Sequence, residues 1–263
     1  MKNKVLNKSS KAFKSFCAIA FLLVIIPLIA CTGKNSKKEE DNLDSKRKEM
    51  ITDTIKPRKI AVIGAGWLGG TVGKLLVKAG HEVMFSSRHP EELRAMAEEL
   101  GKLASVGTPK EAAAFGDILL FAVPYDAIPQ LGIDLKEEIK GKIVLDACNG
   151  GSGELGKEVE KNGNGPTSAK YLAGTRLVRV FSSEDATAIE ASAGRKDNKL
   201  AIPVAGDDVE ARELAAQLVR DAGCEPIIVG DLSTGVKFQR NTPAFRANTN
   251  VMKLSSLLGI TKQ

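Results

Sequence analysis

The chain carries 263 residues, with 38 Lys+Arg against 32 Asp+Glu and a formal charge of +6. Residues 1–56 hold twelve basic and six acidic side chains, leaving 26 of each for residues 57–263. The basic surplus therefore lies outside the larger part of the chain, which excludes a basic nucleic-acid groove there, and the length fits one α/β domain or two small ones.

The front reads as an export signal. Lys2, Lys4, Lys8, Lys11 and Lys14 precede an apolar run from Phe16 to Ala30, and no acid appears before Glu39. A basic start followed by an apolar run too short for a membrane span, and broken by Pro27, is a signal-peptide pattern. Its end, Leu28-Ile29-Ala30-Cys31, resembles the bacterial lipobox. That resemblance implies a lipidated Cys31 and a membrane anchor on the non-cytoplasmic side. No paired arginines mark twin-arginine export, so the Sec route is expected. Residues 31–56, rich in Lys, Glu, Asp, Asn and Ser, have little to bury and are expected to be a flexible tether.

The next stretch organises the rest of the chain. Ile60 to Ile63 is a β-branched apolar run, expected to be a buried strand. Gly64, Ala65, Gly66, Trp67, Leu68 and Gly69 then fill G-x-G-x-x-G, a helical pattern runs to Ala79, and a second strand covers His81 to Phe85. The motif gains its force from lying between a strand and a helix, with a second strand after it. Gly64 permits the tight turn, Gly66 lets the backbone approach a pyrophosphate, and Gly69 lets the helix sit close to the strand. The helix N-terminus offers free N–H groups to the phosphates. An NAD site wants an acid just past the second strand, to hold the ribose hydroxyls. This chain has Ser86, Ser87, Arg88 and His89 there, and no acid until Glu91. A carboxylate would repel a 2′-phosphate, whereas hydroxyls and a guanidinium bind one, so the expected cofactor is NADP(H).

Strands and helices then alternate. Pro90 to Leu100 is expected helical, Lys102 to Gly107 a third strand, and Pro109 to Phe115 a short helix capped by Thr108. Ile118 to Val123 forms a fourth strand. It should pair across the switch point from the first, so that Ala122, Val123, Pro124 and Tyr125 face the cofactor. Lys142 to Ala147 is a fifth strand, with Cys148 and Asn149 at its ligand end. Ser152 to Pro166 reads as a glycine-rich loop, Arg176 to Phe181 as a sixth strand, and Ser182 to Asn198 has no clear pattern. Lys199 to Ala205 and Glu225 to Val229 are strands flanking an amphipathic helix, Asp207 to Ala222, and Ser233 opens a final helical region. The alternation predicts one doubly wound, mostly parallel Rossmann sheet with helices on both faces and an extended C-terminal half.

Residues 57–263 resemble the NADP-dependent oxidoreductases of the deazaflavin (coenzyme F-420) reductase type, whose cofactor domain is shared with pyrroline-carboxylate reductases. The resemblance rests on IGAGWLGG, GHEVMFSSRHP, ILLFAVPYDAI, KIVLDACNG, RLVRVFSS and RNTPAF, and on the more specific run from IPVAGDD through EPIIVGDL. It implies that Gly64 to Leu68 and Ser86 to Arg88 hold NADP(H), that Val123 and Pro124 lie beside the nicotinamide, and that Asn149 sits near it. It also implies a small-molecule hydride acceptor that is flavin-like or deazaflavin-like. One departure stands out: relatives carry Phe-Asn after the sixth strand, and this chain has Phe181-Ser182.

Hydride transfer between two flat rings needs no protein acid or base; the protein must stack the rings and exclude water. The sequence agrees with such a mechanism. His81 opens a strand and reads as structural, and neither Tyr125 nor Tyr171 has a lysine four residues on. Cys148 and Cys224 make no metal site and default to buried free thiols. Two other readings stay open. Lys237 and Asn241, four apart on an expected helix, share one face, as in β-hydroxyacid dehydrogenases; alternatively, a tethered domain binds a dinucleotide without turnover. A homodimer is compatible with the sequence.

Overall fold

The computed structural model describes residues 56–150 and 155–260. The expected leader, Cys31 and all but the last residue of the tether lie outside them. The first half runs β1 (Lys59–Ile63), α1 (Trp67–Lys78), β2 (Glu82–Ser86), a 3-10 turn (Pro90–Leu93), α2 (Arg94–Leu100), β3 (Ala104–Gly107), α3 (Pro109–Phe115) and β4 (Ile118–Phe121). It continues through a 3-10 turn (Tyr125–Ala127), α4 (Ile128–Asp134) and α5 (Lys136–Ile139) to β5 (Ile143–Asp146). The second half holds α6 (Gly156–Asn162), α7 (Asn164–Tyr171), β6 (Arg176–Arg179), α8 (Ala186–Ala193), β7 (Ala201–Gly206) and α9 (Val209–Asp221). It closes with β8 (Glu225–Gly230), a 3-10 helix (Leu232–Phe238) and α10 (Val251–Leu258).

The strands form one sheet in the order β3-β2-β1-β4-β5-β6-β7-β8. Among the described residues only β6 and β7 pair antiparallel; every other neighbouring pair is parallel. The doubly wound, mostly parallel sheet is as expected. β4 and β5 are buried along their whole lengths and β1 beyond its first residue, which is why these strands read as continuous apolar runs rather than alternating ones. One core lies against α1, α8 and α9, with Val72, Leu76, Ile189, Ala215 and Val219 among its members. A second, including Ala112, Ile128, Ile139, Val159 and Leu172, lies under α3 to α7 on the other face.

Two glycines let α1 sit close to the sheet. At Gly69, as expected, a Cβ would lie 3.0 Å from Ala122 Cβ and 3.1 Å from Val62 Cγ1, besides striking the carbonyl oxygen of Gly64. Gly73, a turn further on, does the same: a Cβ there would meet the Phe85 ring. His81 is structural, as read: its Nδ1 accepts from Arg58 N at 3.2 Å, so Nε2–H faces Asp221 at 3.1 Å. Cys148 and Cys224 are free and buried.

The structure corrects several boundaries. Pro90–Leu93 is a 3-10 turn before α2 rather than one helix from Pro90. The expected loop from Ser152 to Pro166 contains α6 and the start of α7. Its glycines serve close packing and a left-handed corner: Gly163 has φ +82°, and a Cβ at Gly165 would lie 2.9 Å from Leu232 O. The unassigned stretch after β6 holds α8. Lys237 lies in the 3-10 helix, while Asn241 lies beyond its end with φ +68°. The two therefore do not share a helix face, and the β-hydroxyacid-type pairing loses its geometric basis.

Candidate active site

The strand order reverses direction at β1: the chain goes outward to β2 and β3, then crosses back to β4. In such sheets the ligand crevice opens outside the C-terminal strand ends at that switch point. The glycine loop, the end of β2 and the ends of β4 and β5 all meet there.

Gly64 carries φ +96°, and a Cβ on it would lie 2.6 Å from Ala122 O and 2.7 Å from Val123 Cγ1. The loop is thus pressed against the end of β4, and no side chain fits between them. Ala65 N donates to Ser86 O at 2.9 Å, fastening the same loop to the end of β2. Gly66 differs from both neighbouring glycines, because a Cβ there would meet nothing within 4 Å. Internal packing does not require glycine at Gly66. The space it leaves clear lies outside the protein, where a pyrophosphate would approach the backbone. No acidic residue stands in the first turn of α1 to oppose an anion. Trp67 projects from the loop and is 67% exposed, while Leu68 packs on the core. The residues present therefore fit a dinucleotide.

Beyond β2 the structure divides the two serines. Ser86 is fully buried and donates its hydroxyl to Val62 O at 2.8 Å. Its only O–H is spent inside the sheet, and a phosphate, which only accepts, gains nothing from the remaining lone pairs. Ser86 is corrected from a cofactor ligand to a strand-end brace. Ser87 Oγ accepts from His89 N at 3.1 Å, which leaves its proton free to donate outward. Arg88 is exposed and makes no ion pair among the described residues. The nearest acid in sequence, Glu91, faces His89 at 3.5 Å.

At the ends of β4 and β5 the backbone is held by buried polar contacts. Val123 N donates to Cys148 Sγ at 3.4 Å, and Cys148 Sγ donates to Phe121 O at 3.3 Å. Burial pushes the Cys148 thiol well up, so it stays neutral. Ala122 and Val123 are half-buried and Pro124 is exposed at this edge. Burial likewise drives the Tyr125 phenol upward; it donates to Asn164 O at 2.8 Å and accepts from Ser168 at 3.0 Å. Asn149 is fixed from both ends: its Nδ2 donates to Ser182 O at 2.6 Å and its Oδ1 accepts from Arg179 Nη2 at 3.2 Å.

Arg179 is the residue that sequence reading missed. It and Asp146, neighbours across β5 and β6, are both completely buried. Arg179 Nη1 lies 2.9 Å from Asp146 Oδ2, but its N–H groups are aimed at the carbonyls of Asp146 and Cys148. The carboxylate contact is therefore Coulombic and off the hydrogen-bonding direction. Asp146 Oδ1 accepts from Cys148 N at 2.9 Å. A charged Arg inside an apolar β6 run was the available signal. Two residues after it, Phe181 holds φ +59°, and the buried hydroxyls of Ser182 and Ser183 have no partner among the described residues. Strain and orphaned polar groups of this kind gather at functional sites.

Such a sheet, with a glycine loop opening a helix at its switch point, defines a dinucleotide-binding fold of the Rossmann class. Residues 59–150 match the family described as NADP oxidoreductase, coenzyme F420-dependent. The F420-dependent NADP reductase of Methanothermobacter marburgensis is 30% identical over 203 residues, covering 70% of this chain and 89% of that protein. The chain belongs to this family of coenzyme F420-dependent NADP oxidoreductases, and its cofactor is NADP. Membership places the chain among NADP-dependent oxidoreductases. Metalloreductase STEAP3 of Rattus norvegicus is 26% identical over 180 residues; the match covers 67% of this chain but only 34% of STEAP3. The chain thus spans about a third of that relative's length. The crystal structure of a hypothetical protein from Sinorhizobium meliloti superposes with a TM-score of 0.64 at 22% identity, over 76% of this chain and 97% of that one, a likeness of fold.

Proposed function

We propose that the protein transfers a hydride between NADPH and a flavin-like or deazaflavin-like ring at the C-terminal edge of β4 and β5. When bound, the cofactor supplies the hydride. The chain's own residues bind, align and dry the reacting faces. The Gly64–Gly69 loop receives the pyrophosphate, Ser87 and Arg88 take the 2′-phosphate, and Ala122, Val123 and Pro124 form the wall beside the nicotinamide. The observation that carries the reading is Asn149, an amide pinned at both ends by buried groups, at the strand end where the two rings must meet. A pinned amide orients a flat ligand without exchanging a proton, which suits direct hydride transfer.

The division into leader (1–30), tether (31–56) and reductase domain (57–263), with a lipid on Cys31, is part of the proposal and is supported by the sequence pattern alone. One experiment addresses both parts. NADPH oxidation by flavin and deazaflavin acceptors is followed in membrane and soluble fractions of expressing cells. Activity should pellet with the membranes; in the Cys31→Ser variant the protein should be released or remain as the uncleaved precursor. Purified protein that binds NADPH but reduces neither acceptor type would contradict the hydride-transfer reading; a normally sized, normally anchored protein in the membranes after Cys31→Ser would contradict the anchor.

A further inference from the structure

Asn164, the first residue of α7, is 2% exposed, and each of its four polar atoms is engaged. Its Oδ1 accepts from Gly150 N at 2.7 Å, and its carbonyl oxygen accepts from the Tyr125 hydroxyl at 2.8 Å. Its N and Nδ2 both donate to Gln239 Oε1, each at 3.2 Å. The three partners belong to three separate stretches. Tyr125 follows Pro124 at the end of β4, Gly150 follows Asn149 at the end of β5, and Gln239 follows the 3-10 helix. These stretches are packed tightly around the amide. A Cβ at Gly150 would lie 2.8 Å from Val159 Cγ2 and 2.9 Å from Tyr125 Cδ1, so no side chain fits between the two strand ends. Gly163 holds φ +82°, and a Cβ on it would lie 2.6 Å from Val236 Cγ1, which presses the start of α7 onto the 3-10 helix. A buried amide is costly unless its hydrogen bonds are met, and once met they specify one geometry.

We infer that Asn164 is a positioning residue for the nicotinamide half of the cofactor: it sets the separation between the wall of Ala122, Val123 and Pro124 and the Asn149 amide. The inference rests on the cofactor placement proposed above and adds the group that keeps the two sides of that placement in register. Asn164 acts through the residues next to each side, Tyr125 on β4's end and Gly150 on β5's. The Tyr125 bond uses the backbone of α7, which any residue at this position supplies. The Gly150 bond needs a side-chain acceptor, and the Gln239 bond needs a donor on the same side chain. A planar amide offers both, whereas an ionised carboxylate only accepts and an aliphatic side chain does neither. A misplacement of about 1 Å costs on the order of a hundredfold in rate, so a brace between the two sides matters to the ring held there more than to the rest of the dinucleotide.

The test compares two ligands that differ only by the nicotinamide ring. Dissociation constants of NADPH and of 2′-phospho-ADP-ribose are measured on the full chain by calorimetry, for wild type, Asn164→Ala and Asn164→Asp. Wild type should hold NADPH about tenfold or more tighter. Asn164→Ala should lose most of that margin while 2′-phospho-ADP-ribose binds nearly as before. Asn164→Asp is the conservative rescue. When protonated, the introduced carboxyl accepts from Gly150 N and donates to Gln239 Oε1, as the amide does; when ionised it only accepts. Burial favours its proton, so the variant should keep the margin at about pH 5 and lose it at about pH 8.5. Lys157, Glu160 and Arg240, which line the same cleft as Asn164, are present in wild type too, so measuring both proteins at each pH isolates the new group. If Asn164→Ala does not fold, the two protonation states of Asn164→Asp make the comparison within one protein. Equal weakening of both ligands, a margin absent from wild type, or a margin untouched in both variants at about pH 8.5 would overturn the inference. A nicotinamide-specific loss in Asn164→Ala, beside a wild type that passes hydride to neither flavin nor deazaflavin, would sustain the positioning role and overturn the hydride-transfer reading instead.

Discussion

A single amide, Asn149, owes its position to a charge pair that never meets solvent. Arg179 reaches from β6 to Asn149 Oδ1 and to the carbonyls of residues 146 and 148, with Asp146 neutralising it. Taking two charges out of water costs several kcal/mol per ion, so such a pair is a poor way to gain stability and a good way to hold one geometry. Arg179→Met strands the Asp146 carboxylate and should lower unfolding stability by about 3–5 kcal/mol. The double variant Asp146→Leu with Arg179→Met should recover most of that loss in denaturant titrations while leaving Asn149 unpinned. A single variant within about 1 kcal/mol of wild type would mean that the pair does not hold this strand end together. Ser86 teaches a related lesson. Its sequence position beside Ser87 made it look like a phosphate ligand, and only the bond to Val62 O shows that its proton is already used.

Among the elements, the strands were the most legible and the glycine-rich connections the least. β1, β4 and β5 announced themselves because burial on both faces leaves near-continuous apolar runs, broken in β5 only by Asp146 at its end. α3 announced itself through its capping box, with Thr108 and Glu111 bonded reciprocally. α6 and α7 were hidden because their glycines read as loop residues, although Gly165 is there to let Leu232 approach. The connection after β6 was hidden for a different reason: its partners are distant in sequence. Arg246 N donates to Ser183 O at 2.7 Å, Arg246 pairs with Asp185, and Asn248 N donates to Glu184 Oε1 at 2.9 Å. Together these stitch the segment before α10 to the end of β6. Burial pushes the Glu184 carboxyl up to about 7, aided by Asp185 and opposed by Asn248 N–H and Arg246. A raised folded-state value means that the folded protein holds this proton longer than the unfolded chain. Stability is then greatest below the ordinary carboxylate range and falls as pH rises toward about 7. Glu184→Gln keeps an oxygen for Asn248 N–H and removes the titration. The variant should gain roughly 2–3 kcal/mol on wild type between about pH 4.5 and pH 7, with no further gain above. A difference that does not change with pH over that range would show that Glu184 ionises freely in the fold.

At the scale of the whole molecule, one sheet edge collects what the chain scatters over nearly ninety residues, from Gly64 to Asn149. The glycine loop and the fourth-strand wall were readable because each is a local pattern with a fixed place in a doubly wound sheet. Arg179 was not, because a buried charge has no meaning until its partners are known. The 3-10 geometry that separates Lys237 from Asn241 was not readable either, since periodicity alone cannot tell a 3-10 helix from an α-helix over so few residues. The central claim is that this edge holds NADP(H) with Ser87 and Arg88 selecting its 2′-phosphate. The most direct measurement is the ratio of dissociation constants for NADPH and NADH, in wild type and in Arg88→Ala. The site predicts a wild-type preference for NADPH that falls by about ten- to a hundredfold in Arg88→Ala, with NADH binding nearly unchanged, because only the phosphate loses a charge-assisted contact. An unchanged ratio, or equal weakening of both cofactors, would contradict it.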